Sequence, residues 1–348
     1  MTTLEDRYRR LLAFYPRWHR DLYEEEMVGV LMAGADPDRS RPSLRDLADI
    51  VASAAAVHLR RTGEALAGEA WRRAAYVVLL AGTLLLAAVA QRRLVVALIV
   101  DRGHHAGVPI PVTAVDVLRP ALWTLAALLA LVRVRRVAVA LAVASAAGEV
   151  VRVGSWYATS PTAMLRDGWL VAVAVVVAAA AGWLGRRAAW PHRPRAGVSA
   201  LGLAAFVVLA SGPVEVAGGG WADAGLPFVS SPGGGPVLPN QSSAALCWVT
   251  TGVLLFWAWA RQDPAVRMRL LAFAAPIAAV LALIPVGFAG YLYSSSQFTS
   301  PIPLAGVQWV LLLTVPLLAF ATGVVVVHRR ERVQHLVRLG RAAERTGS

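Results

Sequence analysis

Eight apolar stretches separated by short basic segments are the feature that most narrows what this chain can become. They are Ala74–Ala90, Val112–Val132, Val137–Gly154, Trp169–Leu184, Val198–Ala217, Ala244–Ala260, Leu270–Tyr291 and Leu304–Val327. Each is close to the roughly 17 to 25 residues that an α-helix rising 1.5 Å per residue needs to cross a hydrocarbon core. The formal net charge of +13 resides in four segments, Arg133–Arg136, Gly185–Arg195, Arg261–Arg269 and His328–Ser348, which occupy alternate gaps and the tail. Basic residues concentrate on the inner side of a membrane, so this spacing predicts an even number of spans with both termini in the cytoplasm.

A water-soluble fold of this size is excluded by composition. With 57% hydrophobic and 16% charged residues, there is too little polar surface to enclose the core, and lipid must supply the cover. The arginines flank apolar spans, a distribution that argues against nucleic acid as a partner. All 34 basic residues are Arg, which removes chemistries that need a lysine Schiff base, a lysine general base or a phosphate-loop lysine. Cys247 is the only cysteine and forms no intrachain disulfide. No cleavable signal peptide is expected, because residues 1 to 40 are charged throughout.

The predicted fold class is all-α: a polytopic membrane helical bundle of about eight transmembrane helices behind a small N-terminal cytoplasmic three-helix module. The expected divisions are residues 1–61 for the module, 62–73 for a linker, 74–327 for the membrane domain and 328–348 for a basic cytoplasmic tail. In the module, Thr3 and Asp6 form a capping-box start, and Leu4, Tyr8, Leu11, Leu12 and Tyr15 make one helical face. Pro16 ends that helix and opens the next, expected over Arg17–Met32 with Trp18, Leu22, Met27, Val30 and Leu31 inward. Ser43 and Asp46 start a third helix, with Leu44, Leu47, Val51, Ala54 and Ala55 as its stripe. A unit of about 60 residues is marginal alone, which points to packing on a partner.

The run Leu11-Leu12-Ala13-Phe14-Tyr15-Pro16-Arg17-Trp18-His19-Arg20-Asp21-Leu22-Tyr23-Glu24-Glu25-Glu26-Met27 resembles the N-terminal motif of permease-prefix-type domains. It is similar also to that of a group of uncharacterised actinobacterial integral membrane proteins, and Arg41–Asp46 resembles the start of the third helix in that group. The resemblance covers roughly residues 4 to 60. It implies a helical cytoplasmic module ahead of a membrane domain, often encoded near PadR-like regulators. Permease-prefix proteins carry an extracytoplasmic domain between spans, and no loop here is long enough for one. Tyr15, Pro16, Trp18, Tyr23, Glu25 and Met27 are the expected partner-docking residues, and the partner is a cytoplasmic regulator or a permease subunit.

Ionisable groups inside spans cost about 2.5 to 3.5 kcal/mol each and need a reason to be there. Asp116 with Arg119, and Glu149 with Arg152, are spaced i and i+3, so each pair can neutralise itself on its own helix. Glu215 lies at the outer end of the fifth stretch. These five are the candidate intramembrane polar sites, read as structural ion pairs between adjacent spans near the outer surface or as a charged vestibule for a polar ligand or proton. Asp101, His104 and His105 could in principle ligate a metal, but adjacent imidazoles do not converge, and no metal or other cofactor is expected. Leu94–Val100 reads as a short interfacial segment, and Gly218–Ser243 as a Gly-rich outer loop. Pro276, Pro285 and Pro316 read as kinks, and the Trp residues at 71, 169, 190, 221, 257, 259 and 309 as interfacial anchors. No metalloprotease, nucleophile-elbow, phosphate-loop or dinucleotide motif is present, so the chain reads as non-enzymatic: a signalling or accessory membrane protein, with a small-solute or lipid transporter as the alternative.

Overall fold

The computed structural model describes residues 3–34, 42–43, 46–54, 57, 68–103, 113–185, 196–211, 239–296 and 302–346. Every regular element among them is helical. The chain divides into two compact units, Met1–Gly68 and Glu69–Ser348.

The first unit contains α1 (Leu4–Leu12), α2 (Arg17–Ala33) and α3, helical over 46–54. The start of α1 is fixed by the reciprocal capping box between Thr3 and Asp6, and the same device joins Ser43 to Asp46 before α3. Tyr8, Leu12, Tyr15, Val28, Ile50 and Ala54 form the core, with Leu4, Leu11, Met27 and Leu31 against it. The buried Tyr8 hydroxyl donates to Asp46 Oδ2 at 3.0 Å, so the α3 cap also satisfies the polar tip of an α1 core residue.

The expected stripe of α1 is the observed one, but α2 turns a different face inward. Leu22 and Val30 are 69% and 68% exposed, and Val28 takes the buried place between Met27 and Leu31. Ile50 replaces Val51 as the inward residue of α3, and Leu44, Ala55 and the Trp18 side chain lie outside the described residues.

The second unit is built on α4 (Glu69–Gly103), α5 (Ala114–Leu131), α6 (Arg135–Ser155) and α7 (Pro161–Gly185). Each packs on the next, and α7 returns to α4, closing a four-helix ring. Short connections make α5, α6 and α7 antiparallel neighbours. The ring's interior is lined by small residues that let backbones approach, including Ala74, Ala87, Ala126, Ala142 and Ala174. Around it lie α8 (Ala196–Ser211) on α4, α9 (Pro239–Ala260) on α8, and α10 (Pro264–Gly287) across α4 and α7. The short α11 (Ala289–Ser296) follows α10, and α12 (Gly306–Thr346) packs mainly on α10.

Among the described residues, six helical segments are long and apolar enough to cross a membrane: Glu69–Val95, Ala114–Leu131, Arg135–Ala158, Pro161–Gly185, Pro264–Gly287 and Gly306–Gln334. About eight spans, as expected from the sequence, are therefore not confirmed. From stretches five and six, the described residues give the apolar helical segments Ser199–Ser211 and Leu246–Ala260, within α8 and α9.

Two other expectations change. Leu94–Val100 is a continuation of the 35-residue α4 rather than a separate segment, and the last residues of the expected linker are its first turn. Trp71 and Trp169 are buried inside the unit: Trp71 stacks on Trp183 and meets Phe273 edge-on, and Trp169 meets Trp248 edge-on. Trp257 and Trp259 remain near the end of α9, where Arg261 and Arg267 cover their rings. Trp190 and Trp221, with Gly218–Ser243, His104 and His105, lie outside the described residues, as does the Asp101 side chain.

The α5–α6 turn is three residues long, Val132–Val134. Arg133 has φ 67°, the left-handed conformation usual for glycine at this position. Its N–H donates to the Ala130 carbonyl at 3.3 Å and the Val134 N–H to Leu129 at 2.9 Å, the paired bonds of a Schellman helix end.

Candidate functional site

Antiparallel packing brings the far end of α4, the start of α5, the end of α6 and the start of α7 to one end of the ring. Each helix contributes charge there: Arg93, Asp116 and Arg119, Glu149 and Arg152, and Asp167. The Glu149 side chain is fully buried and Arg119 only 9% exposed. Arg119 donates to Glu149 twice, from Nε to Oε1 at 2.6 Å and from Nη2 to Oε2 at 2.9 Å, and Trp123 Nε1 adds a third bond at 3.1 Å. The carboxylate thus has both oxygens engaged by donors from the neighbouring helix.

Arg152 donates to Asp116 Oδ1 at 3.4 Å and lies 4.8 Å from the Trp156 ring centroid. Asp116 also closes the capping box of α5, accepting from the Thr113 N–H at 3.1 Å and its hydroxyl at 2.6 Å. The i, i+3 spacing therefore does not define the pairs. Asp116 joins Arg152 and Glu149 joins Arg119, so both bridges run between α5 and α6 rather than within either helix.

A further pair closes the opposite side of the ring. Arg93 of α4 grips Asp167 of α7 with bonds of 2.6 and 2.8 Å, and Asp167 is 4% exposed. The two pairings are linked electrostatically, since Arg152 lies within range of both Arg93 and Arg119. Beside it, the buried Arg92 donates to the Leu209 carbonyl of α8 at 3.4 Å. Sequence reasoning missed Arg93–Asp167 because the partners are 74 positions apart. The available signal was that Asp167, two residues ahead of an apolar stretch, falls one turn inside α7.

Glu215 lies outside the described residues. Among the described residues, no three His, Cys, Asp or Glu side chains converge to hold a metal ion. Chemically, the network is a clamp: three carboxylates on three helices, each engaged by a guanidinium from a neighbouring helix. It ties the ring into one body at the end where its helices carry charge.

At the opposite end lie the α4 start, the α5–α6 turn, the end of α7, the α9–α10 turn and the second half of α12. Arg73 meets Asp263 at 3.4 Å, Arg269 meets Glu331, and the Arg269 guanidinium sits 5.4 Å from the Trp71 ring. The basic segments Arg133–Arg136 and Arg261–Arg269 and the arginines after His328 thus share one end.

The expected docking residues divide between core and surface. Tyr15 is buried in the core of the first unit, and Met27 is half-buried against it. Pro16 is the N-cap of α2. Glu25 is exposed and bonded to Arg9 at 2.8 and 3.0 Å, which holds its carboxyl below the usual glutamate range. Tyr23 is 40% exposed and continues a ring series, with Tyr15 5.2 Å from His19 and His19 4.9 Å from Tyr23. Leu22 and Val30, expected inside, are the apolar residues that α2 leaves on its surface. No protein-family model, curated protein or solved structure matches the chain, and its function is therefore read from its own residues.

Proposed function

We propose that this chain is a multi-pass protein of the plasma membrane, with both termini in the cytoplasm, that serves as a non-enzymatic signalling or accessory component. Its N-terminal module docks a cytoplasmic regulator or a permease subunit. The exposed pair Leu22 and Val30 carries this reading, because α2 has a complete inward face in Met27, Val28 and Leu31 and still presents large apolar groups beside Tyr23. The membrane charges support a structural role for the ring, since Glu149 and Asp167 are buried and each is held by two guanidinium bonds.

The test is a photo-crosslinking residue at position 22 or 30 of the full-length protein in its native membrane. A single adduct with a regulator or permease subunit is expected, lost when Val30→Arg accompanies the probe at 22. A probe at Leu313, on the exposed face of α12, is the lipid control. Identical products at 22 and 313 remove the docking face. Reporter fusions after Thr346 and at Arg135 should both report the cytoplasm, and opposite locations overturn the topology.

The transporter reading has one specific support. Helix α10 contains Pro276 and Pro285 and ends at Gly287, with α11 starting two residues later, the kind of broken helix used for gating. Solute flux abolished by Asp116→Asn or Asp167→Asn in a stably folded protein would select it.

A further inference from the structure

A cleft between α10 and α12 opens at the basic end of the second unit. Its volume is about 500 Å³, within the range of small-ligand sites. Glu331 stands 25 residues after the first residue of α12, about 38 Å along the axis at 1.5 Å per residue. A hydrocarbon core is about 30 Å thick, so the cleft lies at the depth of lipid headgroups.

Charge inside the cleft is unevenly compensated. Arg269 is answered by Glu331 and by the Ala265 carbonyl at 2.6 Å, and Asp263 is answered by Arg73. Among the described residues, Arg330 donates to the Met268 thioether, at 3.4 Å, a weak acceptor that leaves its charge unneutralised. Arg269 is 7% exposed, and its Nε has no acceptor in the structure. The remaining lining includes the polar Gln334 and the apolar Met268, Val327, Val333 and Val337; along α12, Val327 lies on the bilayer side of Arg330, and Val333 and Val337 lie beyond it. The level of Arg330 thus suits an anion, and the side of Met268 and Val327 a hydrocarbon chain. Beyond it, the exposed Val325, Val326 and Leu318 of α12 extend the apolar track toward the middle of the helix.

We propose that this cleft binds an anionic phospholipid, with the phosphate at Arg330 and the upper acyl chain against Met268 and Val327. Basic pockets between helices at this depth are suited to anionic lipid heads, while a free anion would leave the apolar wall unused. The site needs no partner at the N-terminal module and stands or falls independently of it.

Full-length protein in neutral detergent, titrated with phosphatidylglycerol, phosphatidylcholine or inorganic phosphate and read by native mass spectrometry, tests the assignment. Phosphatidylglycerol should be retained in preference to phosphatidylcholine. Arg330→Gln should weaken that retention about five-fold, the scale of one arginine at an anionic membrane surface. The exposed neighbour Arg332 sits outside the cleft, and Arg332→Gln should leave retention unchanged. Val326→Asp, on the exposed apolar track at the bilayer side of Arg330, should weaken lipid retention while Arg330 stays in place. Equal retention of the two lipids, equal effects of the two arginine variants, no effect of Val326→Asp, or displacement of the lipid by equimolar phosphate overturns the proposal.

Discussion

Replacing Glu149 by Gln keeps the shape of the side chain and removes its charge, which isolates what the α5–α6 clamp contributes. In the variant, the buried Arg119 guanidinium loses its counter-charge, and one of its two donors, now at 2.6 and 2.9 Å from carboxylate oxygens, faces an amide NH₂ instead. Breaking one side of a buried ion pair costs about 3 to 5 kcal/mol in water-soluble proteins. Interhelical polar contacts in membranes average only about 0.6 kcal/mol, because the separated helices find other partners. Three bonds to a fully enclosed carboxylate place Glu149 well above that average, and we expect a loss of about 2 to 4 kcal/mol. Asp116→Asn, at a partly exposed site with a 3.4 Å bridge, should cost less than about 1 kcal/mol. Replacing Arg119 and Glu149 together by Met should recover most of the loss, since no unpaired charge remains buried. Unfolding by titration with sodium dodecyl sulfate, followed by tryptophan emission, measures all three. If Glu149→Gln costs no more than Asp116→Asn, or the double Met variant is worse than Glu149→Gln, the clamp is not what holds α5 to α6.

Gly82→Ala should destabilise the ring, because a Cβ there meets the Val177 side chain of α7, and adding Val177→Ala should restore stability in the same titration. Gly323→Leu should detach α12 from α10, because even a Cβ lies 3.0 Å from Ala272 Cα; cysteine cross-linking of Met268 to Arg330 would then fall while the ring stays intact. Tyr8→Phe leaves Asp46 without its partner from α1 and should cost the first unit about 1 kcal/mol, seen as faster amide exchange in α1 and α3 of the full chain. Arg9 hydrogen-bonds the Glu25 carboxylate and lowers its pKa, so the α1–α2 bridge contributes at neutral pH. It is lost as pH falls below the ordinary glutamate value of 4.5 and through the lowered folded value, visible as faster exchange toward the end of α1.

What could be read from the residues depended on how local the deciding interaction was. The α1 stripe was legible because charged residues separate Leu4, Tyr8, Leu11 and Leu12 cleanly into one face. In α2, apolar residues surround the helix, and only Ile50 and Ala54 of α3 decide that Val28 is buried while Leu22 and Val30 are not. The long apolar helices were visible from length. Asp116, Arg119, Glu149 and Arg152 stood out because charge in an apolar stretch is costly. Their pairing did not, because it depends on the register of the α5–α6 turn, and Arg133 carries none of the glycine signature of such a turn. Arg93 and Asp167 were hidden for a different reason: each lay just beyond the edge of an apolar stretch, and only the full helix lengths bring them into the same layer.

That left-handed Arg133 has a consequence for the hairpin it closes. A glycine would adopt its backbone angles without the roughly 1 kcal/mol that a side chain pays there, yet would remove one of the positive charges of the basic segment Arg133–Arg136. With three residues between them, α5 and α6 form a close hairpin in which Arg119 meets Glu149 across the helices. A hairpin of this kind would present the pair to acyl chains as one neutral unit instead of two separate charges.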